Sequence, residues 1–410
     1  MTARHPPRSG ADPTVPRHLG VAVMVGVALA LLPLSTDLYL ASLPALRRYF
    51  ELGVADVQLT LSVFVAAVAL AQLVYGPLSD RFGRRPTLLG GIAIYLVASV
   101  ACALAQSIEQ LLVARFFQAI GACSGQVIGR AIIRDVYGAQ GAARMLGYIT
   151  AGTALAPVLG PPVGGLLTVA FGWRASFVLV ALVGAGLLVA AARGLKESNA
   201  HPDPHATAVR GLLANYGTLI ADRRFIGYAL CMAASYGAVF AWISGSAFVL
   251  IETLQVPVAW FGVWFALAVA PYVIANLITA RLVMRVGTAR LMRVGVTLAL
   301  LSGLALAGLA LAGVHHLAAI LVPVAAFLFA TGFNQPCSIA GAIGPFPRLA
   351  GTASALMGFL QMASGAAVGI VVGRLHDGTP VPTAVAMAVM TVVLALVYGL
   401  VVPRAASTGR

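Results

Sequence analysis

The sequence predicts an all-α membrane protein with twelve transmembrane helices in two six-helix bundles. Three observations carry this. Hydrophobic residues make up 60% of the 410 positions and charged residues only 9%, too little charge to cover a water-soluble chain of this length. The apolar residues arrive in runs of the roughly 20 residues that a helix needs to cross the bilayer. A polar stretch near the middle separates six such runs from six more.

The first six runs are 20–43, 57–77, 87–106, 109–131, 145–169 and 174–193. The second six are 225–250, 258–281, 290–313, 316–341, 349–373 and 380–402. Each is expected to be helical, because a helix satisfies its own backbone hydrogen bonds inside lipid. The fifth is unusual in carrying Pro157, Pro161 and Pro162, which membrane helices tolerate where neighbours compensate. Residues 1–19, rich in proline and arginine, read as a cytoplasmic tail. A cleavable signal is not expected there, since the following apolar run is too long for one. Residues 403–410 read as a second cytoplasmic tail. Between the halves, 194–224 holds Lys196, Glu197, Asn199, His201, Pro202, Asp203 and Pro204, a composition that suits a solvated cytoplasmic linker. The N-terminal bundle is thus 20–193 and the C-terminal bundle 225–402.

Charge fixes the expected direction. With the N-terminus inside, 21 of the 26 Lys and Arg residues fall in cytoplasmic segments, and only Arg47, Arg48, Arg174 and Arg374 fall outside. That asymmetry predicts both termini and the linker in the cytoplasm. It also accounts for the net charge of +14. The basic residues form no single face of the kind nucleic acid requires, so nucleic acid is not an expected partner. Cys102, Cys123, Cys231 and Cys337 lie in apolar runs, and the seven histidines show no metal-ligand spacing. No metal, cofactor or enzymatic activity is expected.

The loop after the second run reads Gly76-Pro-Leu-Ser-Asp80-Arg81-Phe-Gly83-Arg84-Arg85-Pro86. Gly83 permits a tight turn. Asp80 can pair with arginine or cap a helix, and Pro86 suits the first turn of the next helix. A weaker copy, Ala280-Arg-Leu-Val-Met-Arg-Val-Gly-Thr-Ala-Arg290, follows the eighth run without the aspartate. This is the mark of two related halves. In the fifth run, Pro157-Val-Leu-Gly160-Pro161-Pro-Val-Gly164-Gly165 combines kinking prolines with glycines that admit close helix approach.

Ionisable groups inside a membrane are functional candidates. Asp37 in the first run and Arg115 in the fourth stand clear of the interfaces. Each lies about six residues, or roughly 9 Å, from the outer end of its helix, so they are expected to face each other. An arginine that approaches and withdraws changes the proton affinity of an aspartate. Tyr39, Gln118, Gln126, Tyr236, Trp242 and Asn334, with Asn276 and Gln361, are polar or aromatic residues in apolar runs and are candidate substrate contacts. Asp37 is the one acid placed deep in a run, which favours a neutral or weakly polar substrate.

These motifs resemble the major facilitator superfamily. The 76–86 loop is similar to its cytoplasmic signature, and the resemblance implies a latch between the bundles in the outward-facing state. The fifth-run motif is similar to its antiporter signature. Arg115-Phe-Phe-Gln118-Ala-Ile-Gly121 is similar to its fourth-helix motif, whose arginine assists proton transfer. Ser35-Thr-Asp37-Leu-Tyr39 resembles the bicyclomycin- and chloramphenicol-resistance (Bcr/CflA) branch of drug:proton antiporters, although Ala41 stands where that branch usually has proline. Asn334-Gln-Pro336, Pro345-Phe-Pro347 and Ala350-Gly-Thr-Ala-Ser354 resemble the same branch. The resemblance implies the major facilitator fold and a monomer whose partners are lipid, protons and a small-molecule substrate. The implied function is proton-coupled efflux of hydrophobic or amphiphilic compounds. A rival expectation is proton-coupled movement of a sugar, organic acid or other metabolite; the fifth-run motif argues against it.

Overall fold

A computed structural model describes residues 19–153, 155–200 and 202–402. The expected tails lie outside these residues, except that Leu19 already opens the first helix. Among the described residues, eleven helices are long and apolar enough to cross a membrane. In chain order they are the first span (Leu19–Phe50), the second (Val54–Phe82), the third (Arg84–Leu104), the fourth (Ile108–Gly138) and the sixth (Arg174–Gly194). The second half supplies the seventh (Arg223–Thr253), eighth (Val258–Val286), ninth (Thr288–Leu311), tenth (Leu317–Ile343), eleventh (Pro347–Arg374) and twelfth (Val381–Leu400).

The fifth span is the exception. Gly138, at φ 65° and ψ 178°, breaks one long run of helical hydrogen bonding and separates it from the fourth span. Its last segment, Ala156–Phe171, has only 16 residues, too short to cross a bilayer alone. Together with the helical residues 139–153 it reaches spanning length.

Two other spans are irregular near one end. The first leaves α-helical geometry after Asp37, passes through a 3-10 turn at Leu40–Ser42 and continues as Leu43–Phe50. The seventh ends in a π-helical turn, Phe248–Thr253. Both ends lie on the face opposite the linker, called here the far face.

Packing repeats with a shift of six spans. The fourth span packs against the first, second and third, as the tenth packs against the seventh, eighth and ninth. The third meets the sixth as the ninth meets the twelfth. The bundles meet where the second span packs on the eleventh and the fifth on the eighth. Small residues make the second interface close: a side chain at Gly165 would meet the Val258 carbonyl, and one at Gly262 would meet Pro161 and Pro162.

The linker differs from the plain solvated segment expected. Within it Val209–Ala221 forms a helix that packs against the seventh and eleventh spans. Leu219 on this helix is fully buried, so burial of an apolar face outweighs the solvation that the polar residues before it suggest.

Candidate functional site

Asp37 ends the α-helical part of the first span and is 5% exposed. The fifth span is shaped to receive it. A side chain at Gly160 would strike the Asp37 Cβ, and one at Gly164 would strike the Leu38 carbonyl. These glycines therefore seat the fifth span on the break in the first. The Asp37 carboxylate accepts one long hydrogen bond, from Thr36 Oγ1 at 3.4 Å. The 3-10 turn that follows it, Leu40–Ser42, contacts the seventh and eighth spans, so this break in the first span lies at the boundary between the bundles.

Arg115 turns the other way, into the core of the N-terminal bundle. It is fully buried. Nη1 donates to the Ser35 carbonyl at 3.0 Å and to Gln118 Oε1 at 2.7 Å. The guanidinium carbon lies 4.1 Å from the Phe64 ring centroid, 4.9 Å from that of Tyr39 and 5.8 Å from that of Phe177. Nε and Nη2 have no hydrogen-bond partner among the described residues. A buried cation without a carboxylate is costly; the ring faces and the two acceptors offset part of that cost.

The expected Asp37–Arg115 pair is therefore not formed here. The two share a depth, as the bond to Ser35 shows, but point to different sides of the first span. Asp37 lies two residues on from Ser35, about 200° around the helix, and so leaves from the side opposite the one that Arg115 approaches.

Other candidates divide in the same way. Tyr39 is buried, its hydroxyl 2.8 Å from Thr60 Oγ1. Gln118 is buried and its Nε2 donates to Ser99 Oγ at 2.9 Å. Trp242 is buried and stacks on Phe265 with centroids 6.3 Å apart. Asn334 is fully buried against Gly295 of the ninth span. These four lie within bundle cores. Gln126 and Tyr236 are half-buried; Gln126 Oε1 accepts from Arg130 Nη2 at 3.3 Å. Sequence reading missed Tyr272 and Gln335. The Tyr272 hydroxyl donates to Gln335 Oε1 at 3.0 Å, and Tyr272 is within electrostatic reach of Tyr236.

The 76–86 loop is tied to its own bundle and to the linker. Gly83 adopts φ 97°, which a residue with a side chain rarely does. Arg84 donates to Asp80 at 2.5 Å, to Ser79 Oγ at 2.7 Å and to Asp135 of the fourth span at 3.1 Å. Glu197 accepts from the backbone N–H groups of Arg84 and Arg85 at 2.9 and 3.0 Å, capping the third span. Its burial opposes the charged form, but four backbone N–H donors outweigh this and hold the carboxyl below its ordinary range. Asn199 Nδ2 and the Asp203 N–H donate to the Asp80 carbonyl, and Arg81 donates to Thr207 at 2.6 Å. Arg85 donates to the Ala192 carbonyl.

On the far face two polar contacts join the bundles directly. Arg47 pairs with Glu252 at 2.6 Å. Gln58 Nε2 donates to the Ser244 carbonyl at 2.7 Å in a buried setting. A groove of about 800 Å³ between the third and fourth spans is lined by outward-facing Ile94, Val97, Val113 and Phe117; it faces the lipid side, not the bundle boundary. No group of three or more His, Cys, Asp or Glu residues that could hold a metal occurs among the described residues.

Comparisons with known proteins agree with this architecture. The chain is 30% identical to multidrug resistance protein D of Escherichia coli over 84% of its length and 86% of the relative's. It is 30% identical to the chloramphenicol resistance protein of Pseudomonas aeruginosa over 88% and 86%. The fold is similar to that of the xylose transporter of E. coli in a partially occluded inward-open conformation. That match has a TM-score of 0.71 and 16% identity, covering 96% of this chain and 99% of that one. Residues 25–370 match the Major Facilitator Superfamily. A twelve-span, two-bundle fold with this sequence match belongs to the major facilitator superfamily, alongside its bicyclomycin- and chloramphenicol-resistance proteins.

Proposed function

We propose that this transporter exports small hydrophobic or amphiphilic compounds from a bacterial cell in exchange for protons, as a monomer in the inner membrane. The observation that carries the reading is the position of Asp37. It is the one acid deep in the spans, and it sits where the first, fifth and seventh spans converge on the bundle boundary. Both termini and the linker face the cytoplasm, so the far face is the outer one.

In this reading the two bundles rock about their second–eleventh and fifth–eighth contacts. Asp37 takes up a proton when open to the outside and releases it to the inside. Arg115, held at the same depth with Nε and Nη2 unbonded among the described residues, approaches the carboxylate when it is ionised and withdraws when it is protonated. Gly160 and Gly164 let the fifth span seat closely on the first-span break and so hold Asp37 at the boundary. The 76–86 loop, clamped through Arg84 and Glu197, stabilises one of the two end states. The names of the drug-resistance relatives support the substrate class.

A susceptibility screen in a host stripped of its own exporters tests this. The parental gene raises resistance to some amphiphilic drugs, and the Asp37→Asn gene does not. Equal resistance from both would sink the proton role of Asp37.

A further inference from the structure

We propose that Gln335 recognises a hydrogen-bond acceptor on the transported compound and that Tyr272 positions it to do so; this rests on the export reading above. The feature it implies on the substrate is an uncharged acceptor oxygen within reach of Gln335 Nε2.

Neighbouring polar residues on the tenth span are treated differently. Asn334 is sealed against Gly295, while Gln335 beside it is half-buried. The Tyr272 hydroxyl, from the eighth span, donates to Gln335 Oε1. That bond fixes the rotation of the amide. It engages the acceptor end and leaves Nε2, a two-proton donor, with no partner among the described residues.

The eighth and tenth spans are held close enough for this by Gly332, where a side chain would strike Ala275 and the Tyr272 carbonyl. Asn276 Nδ2 donates to that carbonyl at 2.9 Å. The eighth span also packs on the fifth span of the other bundle, and the 3-10 turn after Asp37 contacts the seventh and eighth spans. The open amide donor of Gln335 is therefore held by a span that meets the N-terminal bundle.

The membrane interior of the C-terminal bundle carries no charged side chain in its sequence; Glu252 and the arginines lie at span ends. A wall of neutral donors beside aromatic rings selects ligands by acceptor oxygens and ring area rather than by charge. An aromatic cation without acceptor atoms would use the rings but not Gln335.

The test is equilibrium binding to the purified full-length protein in detergent, with no gradient. The two probes are chloramphenicol, which has amide and nitro oxygens, and tetraphenylphosphonium, which has none. Gln335→Leu should raise the chloramphenicol Kd about tenfold, the effect of one lost hydrogen bond. Tyr272→Phe should raise it roughly threefold, because the amide can then turn away. Tetraphenylphosphonium affinity should stay within about twofold for both variants, which also shows that they are folded. An equal loss for both probes assigns the pair a structural role and overturns the proposal. So does an unchanged chloramphenicol Kd, or an unaltered protein that binds only tetraphenylphosphonium. Gradient-driven transport of chloramphenicol is measured separately: its failure in the unaltered protein would count against proton-coupled export while leaving the binding assignment intact.

Discussion

The two bundles share a packing pattern but not a chemistry. In the N-terminal bundle a guanidinium is buried among Phe64, Tyr39 and Phe177, and a carboxylate sits at the boundary. In the C-terminal bundle no charged side chain lies deep in a span, and Tyr236, Tyr272 and Gln335 are half-buried polar residues there. Repetition of the fold therefore left one half to carry charge and the other to present hydrogen bonds. Burying charge is expensive, so a single charged half limits that cost to the bundle that uses it.

The largest expected effect comes from breaking the charged half. Arg115→Ala removes the buried cation and its bonds to Ser35 and Gln118, and proton-driven transport should fall to background. Arg115→Lys should restore only part, because an ammonium cannot reproduce the planar fork. Uptake by everted vesicles decides it; full activity of the alanine variant would show that the charge is dispensable.

Next is the seat of Asp37. Gly164→Val drives a side chain into the Leu38 carbonyl, an overpacking that costs about 1–3 kcal/mol. Transport should drop steeply and thermal stability modestly. Gly147, where added atoms meet nothing within 4 Å, provides the control: Gly147→Val should retain transport. Matching losses at both sites would contradict the seating argument.

Gly83→Val should nearly abolish transport while membrane insertion persists. It forces valine into positive φ and against the Glu197 carboxylate. Asp80→Asn should do likewise by removing the charge that holds Arg84. Because the Glu197 carboxyl is held below its ordinary range, its cap should persist at neutral pH and be lost only as pH falls beneath that range. Hydrogen exchange at the Arg84 and Arg85 amides reports it, and loosening already near pH 7 would argue against the cap.

The smallest effect is expected at the far face. Arg47 and Glu252 are partly exposed, and such pairs contribute about 1 kcal/mol or less. Arg47→Ala should shift the balance toward an open far face by up to roughly fivefold, read as faster labelling of a cysteine placed at Ser62, which lies against Gly369 of the eleventh span. The reversed pair Arg47→Glu with Glu252→Arg should restore slow labelling.

Spacing and composition made the spans, the linker's place and the candidate charges legible, because each follows from local hydropathy. Height along a helix was legible too: Asp37 and Arg115 do share a depth. Azimuth was not. Asp37 is the last α-helical residue of the first span, but spacing along the chain does not say which side of that helix the fourth span takes. On the tenth span a one-residue shift exchanges buried Asn334 for half-buried Gln335, and residue type cannot choose between them. The partners of the 76–86 loop were also hidden. Asp135 and Glu197 lie 51 and 113 residues from Arg84, and only the packed bundle brings them to it. The short helix in the linker escaped notice because polar residues before it dominate the composition.

The division of labour between the bundles is tested most directly in proteoliposomes with an imposed pH gradient. Asp37→Asn should still bind chloramphenicol, yet fail to accumulate it against its concentration gradient at any imposed ΔpH. Uphill accumulation by Asp37→Asn at the parental rate would place the proton carrier elsewhere and contradict the account.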